Sequence, residues 1–342
     1  MPTRPAETAP EAPPRAARPR QTWMDVVRGV AVLLVVVFHA GTLLRYADLP
    51  VPAVAGTLVE AVAPFRIPLL ALLSGALLPQ SAGKGAGRYV SGKLRGIVWP
   101  FLLWTAVYAL LTWPGGLDPV GWYLPTLLHG GSYLWYLLFL AVFYLLALPL
   151  RRVPKLPVVG LVLLLSEVLP DDTKYLERPA YLFALFVLGW WVAERPARLV
   201  RLVSSRWVFL AALVALVPAT LWAPESGYGP RSFPATVAGA LVVAGVAARC
   251  ADAALLRPLR FAGRNSIVFY VVHFPVIYVL VHVAARWDGI PASALLAAGV
   301  VAAVAAATVL ASLRSRWRPV EWLFTAPGAP GPARRGPAPG PA

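Results

Sequence analysis

The sequence predicts an all-α, polytopic membrane protein of about ten transmembrane helices, with both termini in the cytoplasm. Two observations lead to this prediction, the apolar composition and the distribution of positive charge between the apolar runs. Of the 342 residues, 59% are hydrophobic and only 13% are charged, and the mean hydropathy is +0.68. A soluble domain carries about 25% charged residues. Lipid is therefore the predicted solvent for most of the chain.

Apolar runs long enough to cross a bilayer core of ~30 Å, which takes about 20 helical residues, occur ten times. We expect the spans near residues 24–44, 55–78, 96–113, 132–150, 154–170, 179–194, 207–223, 232–249, 265–285 and 290–313. The flanking segments 1–21 and 324–342 are rich in Pro and Ala and are predicted to be disordered cytoplasmic tails. Residues 22–323 then form the transmembrane domain.

The basic residues alternate with the predicted spans as the positive-inside rule requires. With cytoplasmic termini, 25 of the 31 Lys and Arg residues fall inside, and Arg66 lies within a span. The outside loops keep Arg45, Lys174, Arg178, Arg231 and Arg286. The net charge of +16 therefore indicates membrane topology and no nucleic-acid partner. The Ala, Arg, Pro and Val bias favours a bacterial source, so we expect the inner membrane.

The first predicted span carries three ionisable residues, Asp25, Arg28 and His39. Eleven helical residues rise ~16 Å and complete almost three turns, so Arg28 and His39 share a face. Asp25 lies within ~40° of that face by the same periodicity. Intramembrane ionisable residues are costly and mark functional sites, and histidine suits proton transfer near neutral pH. The alternative is a histidine that only makes a packing hydrogen bond to another helix.

The second predicted span contains Arg66 between Pro64 and Pro68, followed by Ser74 and Gly75. The prolines are expected to break the helix and free backbone groups to line a cavity. A kinked helix whose small residues allow close packing is the alternative. A buried guanidinium needs an anion, a carbonyl cluster or water, so Arg66 is a candidate for stabilising an oxyanion or orienting a ligand.

A Gly-rich basic segment precedes the third span, with Lys84, Arg88, Lys93 and Arg95. Its glycines and lysine have phosphate-loop spacing, but Leu94 occupies the Ser/Thr position and no strand precedes it, which excludes a nucleotide-hydrolysing loop. The segment is expected to be a cytoplasmic loop. It could hold the phosphates of a soluble donor, or its charge could serve topology alone.

The ninth predicted span opens with polar residues on one helical face. Ser266, Tyr270 and His273 follow each other at i, i+4 and i+7. The four histidines of the chain are scattered and have no metal-ligand spacing, and the single cysteine, Cys250, excludes a cysteine-based metal site. We predict no metal.

Taken together, these segments resemble the integral-membrane acyltransferase family 3 over nearly the whole chain. Arg28 and His39 match its Arg-x10-His pattern, and FRIPLLALLSG is similar to its Ser-Gly segment in helix two, with leucines in place of the usual phenylalanines. YVSGKLRGIVWPFLLW is similar to its basic stretch before helix three, YLWYLLFLAVFYLL at Trp135 to an aromatic helix start, and RNSIVFYVVH to an Asn-Ser-Tyr-His segment.

The resemblance implies transfer of an acyl group, commonly acetyl, from acyl-CoA to a hydroxyl of a glycan, glycolipid or small molecule. Acyl-CoA would be a co-substrate, with no bound cofactor. His39 and Arg28 would be catalytic. The remaining site candidates would bind donor or acceptor: Asp25, Arg66, Ser74, Lys93, Arg95, Trp135, Ser266, Tyr270 and His273. The competing class is a transporter that uses intramembrane His and Arg in substrate or proton coupling, although the chain lacks the inverted repeats typical of transporters.

Overall fold

The computed structural model describes residues 22–82, 85–115, 118–128, 132–168, 174–223, 228–287 and 289–328. Helices make up 84% of these residues, and no strand occurs in those ranges. The α-helices are α1 (Thr22–Tyr46), α2 (Ala53–Ala61), α3 (Arg66–Ala76), α4 (Leu78–Ala82), α5 (Ala86–Lys93), α6 (Trp99–Leu111), α7 (Pro119–Leu128), α8 (Trp135–Leu146), α9 (Lys155–Val168), α10 (Lys174–Ala193), α11 (Pro196–Ser204), α12 (Arg206–Trp222), α13 (Phe233–Cys250), α14 (Arg257–Arg264), α15 (Ser266–Ala284), α16 (Ala292–Arg314) and α17 (Arg318–Trp322). The predicted all-α class is confirmed.

Each of the ten predicted spans coincides with a helix, but only some of these helices are long enough to cross a bilayer. Six segments of the described chain meet the length and apolarity that a span needs: Thr22–Tyr46, Ala53–Ser81, Ala86–Leu111, Pro230–Cys250, Ser266–Ala284 and Ala292–Arg314. The pair α11 and α12, bent by 65°, would be a seventh. Helix α8, with 12 residues, extends only about 18 Å. The chain is therefore a multi-pass membrane protein, while the count of ten and the orientation of the termini stay predictions.

The second span is broken where the prolines predicted it. Helix α2 ends at Ala61 and α3 begins at Arg66. The break is held by α13, because the Thr236 hydroxyl donates to the Pro64 carbonyl at 2.8 Å and Gly239 packs against the Phe65 ring. Arg66 thus occupies the first turn of a helix that starts within a span.

The basic segment before the third span differs from the predicted loop. Residues 86–93 form α5, and a π-helical turn (Leu94–Val98) joins it to α6. Lys93 and Arg95 therefore project from helical backbone, while Lys84 lies outside the described residues. The prediction of a loop was wrong because it takes Gly87 and Gly92 as loop formers. A helix accepts single glycines at a modest cost in stability, and nothing lies within 4 Å of the Cβ position of either glycine.

The last described residues, 318–328, form a C-terminal segment that packs on α6. The Trp99 indole donates to the Trp322 carbonyl at 2.7 Å, and the Trp104 indole donates to the Leu323 carbonyl at 2.9 Å. Phe324 is fully buried and stacks on Trp104. Contacts thus continue past the predicted start of the tail at Phe324, whereas residues 329–342 and 1–21 lie outside the described part of the chain.

Helix α1 is the central element, because it packs against α3, α13, α14, α15 and α16. Glycines bring the backbones of two helix pairs, α1 with α14 and α3 with α10, together where a side chain would not fit, as is common between membrane helices. A Cβ on Gly29 would meet the Leu259 carbonyl of α14. Gly75 of α3 lies equally close to the Phe186 carbonyl of α10, and Gly189 to that of Leu72. These contacts hold α1 against α14 and α3 against α10, and α1 and α3 both carry residues of the site.

We expect Gly75→Ala to destabilise the fold. Its new methyl group would meet backbone, which cannot rotate away, so overpacking should cost about 1–3 kcal/mol and lower the melting temperature in detergent. Gly160→Ala in α9 is the matched control, because nothing lies within 4 Å of its Cβ position. An equal melting temperature for the two variants would contradict the close approach of α3 and α10.

Candidate active site

A cavity of about 170 Å³ opens between α1, α3, α8, α15 and the π-helical turn. Four residues predicted from the sequence line it, Arg28, Ser74, Ser266 and Tyr270. The other lining residues are Val32, Leu70, Gly96, Ile97, Tyr136, Leu137, Leu140, Tyr144 and Ile267. The cavity therefore collects polar side chains from three of the segments that were singled out along the chain.

Two basic side chains, Arg28 and Lys93, lie in or next to the lining of this cavity. Arg28 lines it and makes no hydrogen bond or ion pair with any residue in the described ranges. The Lys93 ammonium lies 3.4 Å from the centre of the Tyr144 ring, and Tyr144 also lines the cavity. Lys93 itself does not line the cavity. A guanidinium in the lining, with a second cation against a lining residue, can bind the phosphate groups of a ligand through charge-assisted hydrogen bonds.

Tyrosine hydroxyls continue the polar lining inward. The Tyr144 hydroxyl donates to the Ser74 carbonyl at 3.2 Å, and the hydroxyls of Ser74 and Tyr136 are 3.5 Å apart. The Tyr270 hydroxyl donates to the Tyr133 carbonyl at 3.0 Å. In return, the Tyr133 hydroxyl donates to the Val271 carbonyl at 2.7 Å. These reciprocal bonds fix the start of α8 against α15 next to the histidines.

His39 of α1 and His273 of α15 form a direct pair. His273 Nε2 lies 3.1 Å from His39 Nδ1. His273 Nδ1 lies 3.1 Å from the Phe269 carbonyl, and His39 Nδ1 lies 3.0 Å from the Val35 carbonyl. His273 is fully buried, and Tyr133 and Phe274 pack against the His39 ring.

These partners assign the tautomers of the two neutral rings. A carbonyl only accepts, so His273 carries its proton on Nδ1 and its Nε2 is an acceptor. His39 Nδ1 faces that acceptor and a carbonyl, so it carries the His39 proton. The one ring nitrogen of the pair left basic is therefore His39 Nε2. A histidine whose other nitrogen is held in this way is prepared to accept a proton.

The cavity and the histidine pair are neighbours joined by Tyr270. Tyr270 lines the cavity, and its ring centroid is 6.1 Å from that of His273. Neither histidine lines the cavity itself. A ligand in the cavity would thus have to extend past Tyr270 to reach His39.

Besides His39, His273, Arg66 and Lys93, three further predicted site residues lie outside the cavity lining. Asp25 pairs with Arg264 of α14 at 3.3 Å, which ties α1 to α14. The Arg95 guanidinium donates to the Ala326 carbonyl at 3.0 Å, so it holds the C-terminal segment. Trp135 packs against Tyr228, with ring centroids 6.3 Å apart.

Arg66 does not line the cavity but contacts the residue that precedes His39. Its guanidinium carbon is 3.6 Å from the centre of the Phe38 ring, and Phe38 directly precedes His39. Arg66 is 9% exposed, and its buried Nη1 has no hydrogen-bond partner in the described part of the chain. The structure thus has a buried guanidinium at this position, next to Phe38, as the sequence predicts. Its role in orienting a ligand stays a prediction.

The sequence interpretation missed Tyr136 and Tyr144, which line the cavity. They stand eight residues apart on α8, one helical face, and that spacing could have been read as a hydroxyl stripe within an apolar run. Among the described residues no group of three His, Cys, Asp or Glu is placed to hold a metal. His129 lies outside those residues.

One comparison with known proteins gives a match. The family model of acyltransferase family 3, described as an acyltransferase domain, matches residues 21–312, which is most of the chain. No curated protein matches, and no solved structure matches.

Proposed function

The chain belongs to acyltransferase family 3, and from that membership we propose that it is an acyl-CoA-dependent O-acyltransferase of the bacterial inner membrane. It transfers an acetyl group to a hydroxyl of a glycan, a glycolipid or another small molecule. The observation that carries the proposal is the His39–His273 pair, which leaves a single basic nitrogen at His39 Nε2. The family match favours acyl transfer over the transporter alternative.

The donor is proposed to enter the cavity at Arg28. Its phosphates would contact the Arg28 guanidinium, which lines the cavity, and the Lys93 ammonium, which lies against the ring of the lining residue Tyr144. Coenzyme A carries its thioester at the end of a long flexible arm, and Arg28 and His39 are separated by ~16 Å along α1. An anchor at Arg28 is therefore compatible with a thioester that passes Tyr270 and reaches His39.

At the histidine, His39 Nε2 removes the proton of the acceptor hydroxyl as its oxygen attacks the thioester carbonyl carbon. The new C–O bond forms, the C–S bond breaks, and the departing coenzyme A thiolate takes the proton back from His39. His273 takes no part in this proton transfer. It only accepts the hydrogen bond from His39 Nδ1 and so holds the His39 ring in one tautomer. Positioning of this kind contributes to catalysis because the wrong tautomer of the base cannot accept the proton.

We expect His273→Ala to lower kcat about 10- to 100-fold while the KM for acetyl-CoA stays unchanged. The ring that receives the His39 Nδ1–H would be gone, and His39 would sample the unproductive tautomer. His273→Gln, whose side-chain carbonyl also accepts a hydrogen bond, should restore part of kcat. A rise in KM with an unchanged kcat would indicate donor binding instead of positioning.

The proposed activity is tested by release of free coenzyme A thiol from acetyl-CoA by purified protein in lipid nanodiscs. Cell-envelope glycans and small polyols are supplied as acceptors, and heat-inactivated protein gives the background. Acceptor-dependent thiol release, with acetyl transfer detected by mass spectrometry, would support the proposal. Uptake of labelled substrate into proteoliposomes without thiol release would favour the transporter.

A further inference from the structure

Arg66 is a buried cation that lacks a counter-ion among the described residues. No carboxylate whose side chain the structure describes lies within ion-pair distance of it, and its Nη1 is buried and has no hydrogen-bond partner among the described residues. The Phe38 ring beneath it supplies a cation–π contact but accepts none of the in-plane N–H donors. A buried guanidinium without an acceptor is costly, so the site is complete only when an oxygen-bearing group meets those donors.

A second cation lies close to the same place. The Arg178 guanidinium carbon is 5.0 Å from the centre of the Tyr228 ring. Burial raises the pKa of the Tyr228 phenol, and the guanidinium groups of Arg66 and Arg178 oppose that rise. Arg178 thus lies against the buried Tyr228 ring, which also packs against Trp135 of α8, and the charge of Arg66 acts on the same phenol. Two like charges that act on one buried group repel each other, and an anion between them would relieve that repulsion.

The framework around Arg66 is fixed before any ligand arrives. Arg66 begins α3 next to a break that Thr236 and Gly239 of α13 hold in place. The Tyr181 hydroxyl and the Thr236 hydroxyl are 2.7 Å apart, which extends the same network to α10. The backbone N–H groups of the first turn of α3 add partial positive charge at this point. These features are typical of a preorganised anion site.

We infer that Arg66, Arg178 and Tyr228 bind an anionic group of the acceptor, so that the enzyme acylates acidic acceptors bearing a carboxylate or a phosphate. The inference rests on the proposed acyl transfer. Phe38 lies between Arg66 and His39, and its ring centroid is 4.9 Å from that of His39. An acid held by Arg66 therefore presents neighbouring hydroxyls to the proposed base. The donor cations, Arg28 and Lys93, belong to the separate cavity.

Ligand-induced stabilisation tests the inference without any need for turnover. Melting temperatures of the purified full chain in nanodiscs are measured with methyl β-glucuronide, with glucose 6-phosphate and with the neutral methyl β-glucoside. We expect both acids, and not the neutral sugar, to stabilise the wild type. Stabilisation by glucuronide alone identifies a carboxylate site, and by glucose 6-phosphate alone a phosphate site. If neither acid stabilises the protein more than the neutral sugar, the inference is overturned.

Variants locate the effect. Arg66→Gln and Arg178→Gln should raise the dissociation constant of the stabilising acid roughly thirtyfold or more, and Arg66→Lys should raise it less. Arg286→Gln, which changes an exposed arginine, is the matched control and should bind as the wild type does. Arg28→Gln should also keep the acid-dependent stabilisation, because donor phosphates and not the acceptor bind there. Equal loss in Arg28→Gln, or none in Arg66→Gln and Arg178→Gln, would overturn the assignment.

Variants of Glu177 and Glu225, which are close in sequence to Arg178 and Tyr228, test the alternative that the chain itself supplies the anion that neutralises Arg66. If either neutralises Arg66, then Glu177→Gln or Glu225→Gln will lower the melting temperature as much as Arg66→Gln does, and the acids will stabilise nothing. That outcome would overturn the acidic-acceptor site. It would leave acyl transfer intact, because thiol release from acetyl-CoA is measured separately.

Discussion

His39→Ala is expected to lower the rate of acyl transfer about 10²- to 10⁴-fold, the range that a positioned general base contributes. The variant removes the one ring nitrogen of the pair that is left basic by the hydrogen bonds to Val35 and His273. The measurement is coenzyme A thiol release at saturating acetyl-CoA and acceptor. The KM for acetyl-CoA should change little, because the donor phosphates are proposed to bind elsewhere.

The control for this prediction is His282→Ala on α15. That histidine is exposed and bonds only within its own helix, to the Tyr278 carbonyl at 2.9 Å, so its loss should leave the rate unchanged. A His39→Ala protein that kept the wild-type rate would remove the basis of the proposed mechanism. Folding is checked by the melting temperature, which a purely structural role would lower along with the rate.

Arg28→Gln is expected to raise the KM for acetyl-CoA roughly thirtyfold or more, with a much smaller change in kcat. Glutamine is polar but shorter and uncharged, so it loses the attraction for phosphate, and the loss falls on binding that the ground state and the transition state share. Arg28→Lys should recover part of the affinity as a point charge without the planar fork. Isothermal titration with coenzyme A measures the same loss without turnover.

Arg88→Gln in α5 is the matched control, since it removes an exposed arginine near the same region. Its KM for acetyl-CoA should equal that of the wild type at moderate ionic strength. An equal rise in both variants would mean that diffuse positive charge attracts the donor, and that no contact at Arg28 is specific. Raising the salt concentration would then erase both effects.

Local periodicity was enough to predict the face that Arg28 and His39 share, and the proline-broken helix at Arg66. Both follow from residues close in sequence. The contact between His39 and His273 could not be predicted in the same way, because it joins residues 234 positions apart. It depends on α1 packing against α15, which is decided by the whole bundle.

The partners of charged side chains could not be predicted from local periodicity either. Arg95 follows Lys93 by two residues and is a candidate for donor binding, and in the structure its Nε donates to the Ala326 carbonyl, 231 residues away. Asp25 shares its helix with Arg28, yet its ion-pair partner is Arg264 of α14. One sequence specifies which side chains are charged and which face they occupy, whereas the partner is chosen by tertiary packing.

The C-terminal segment has a consequence for how the protein is made. The indole groups of Trp99 and Trp104 donate to the carbonyls of Trp322 and Leu323, which follow them by 223 and 219 residues. Because domains are completed in the order of synthesis, α6 must leave the ribosome long before its partners exist. A nascent chain that ends before Trp322 exposes both indoles and leaves Arg95 unbonded to Ala326. The packing of the C-terminal segment on α6 is therefore completed only after residues 322–326 have been synthesised.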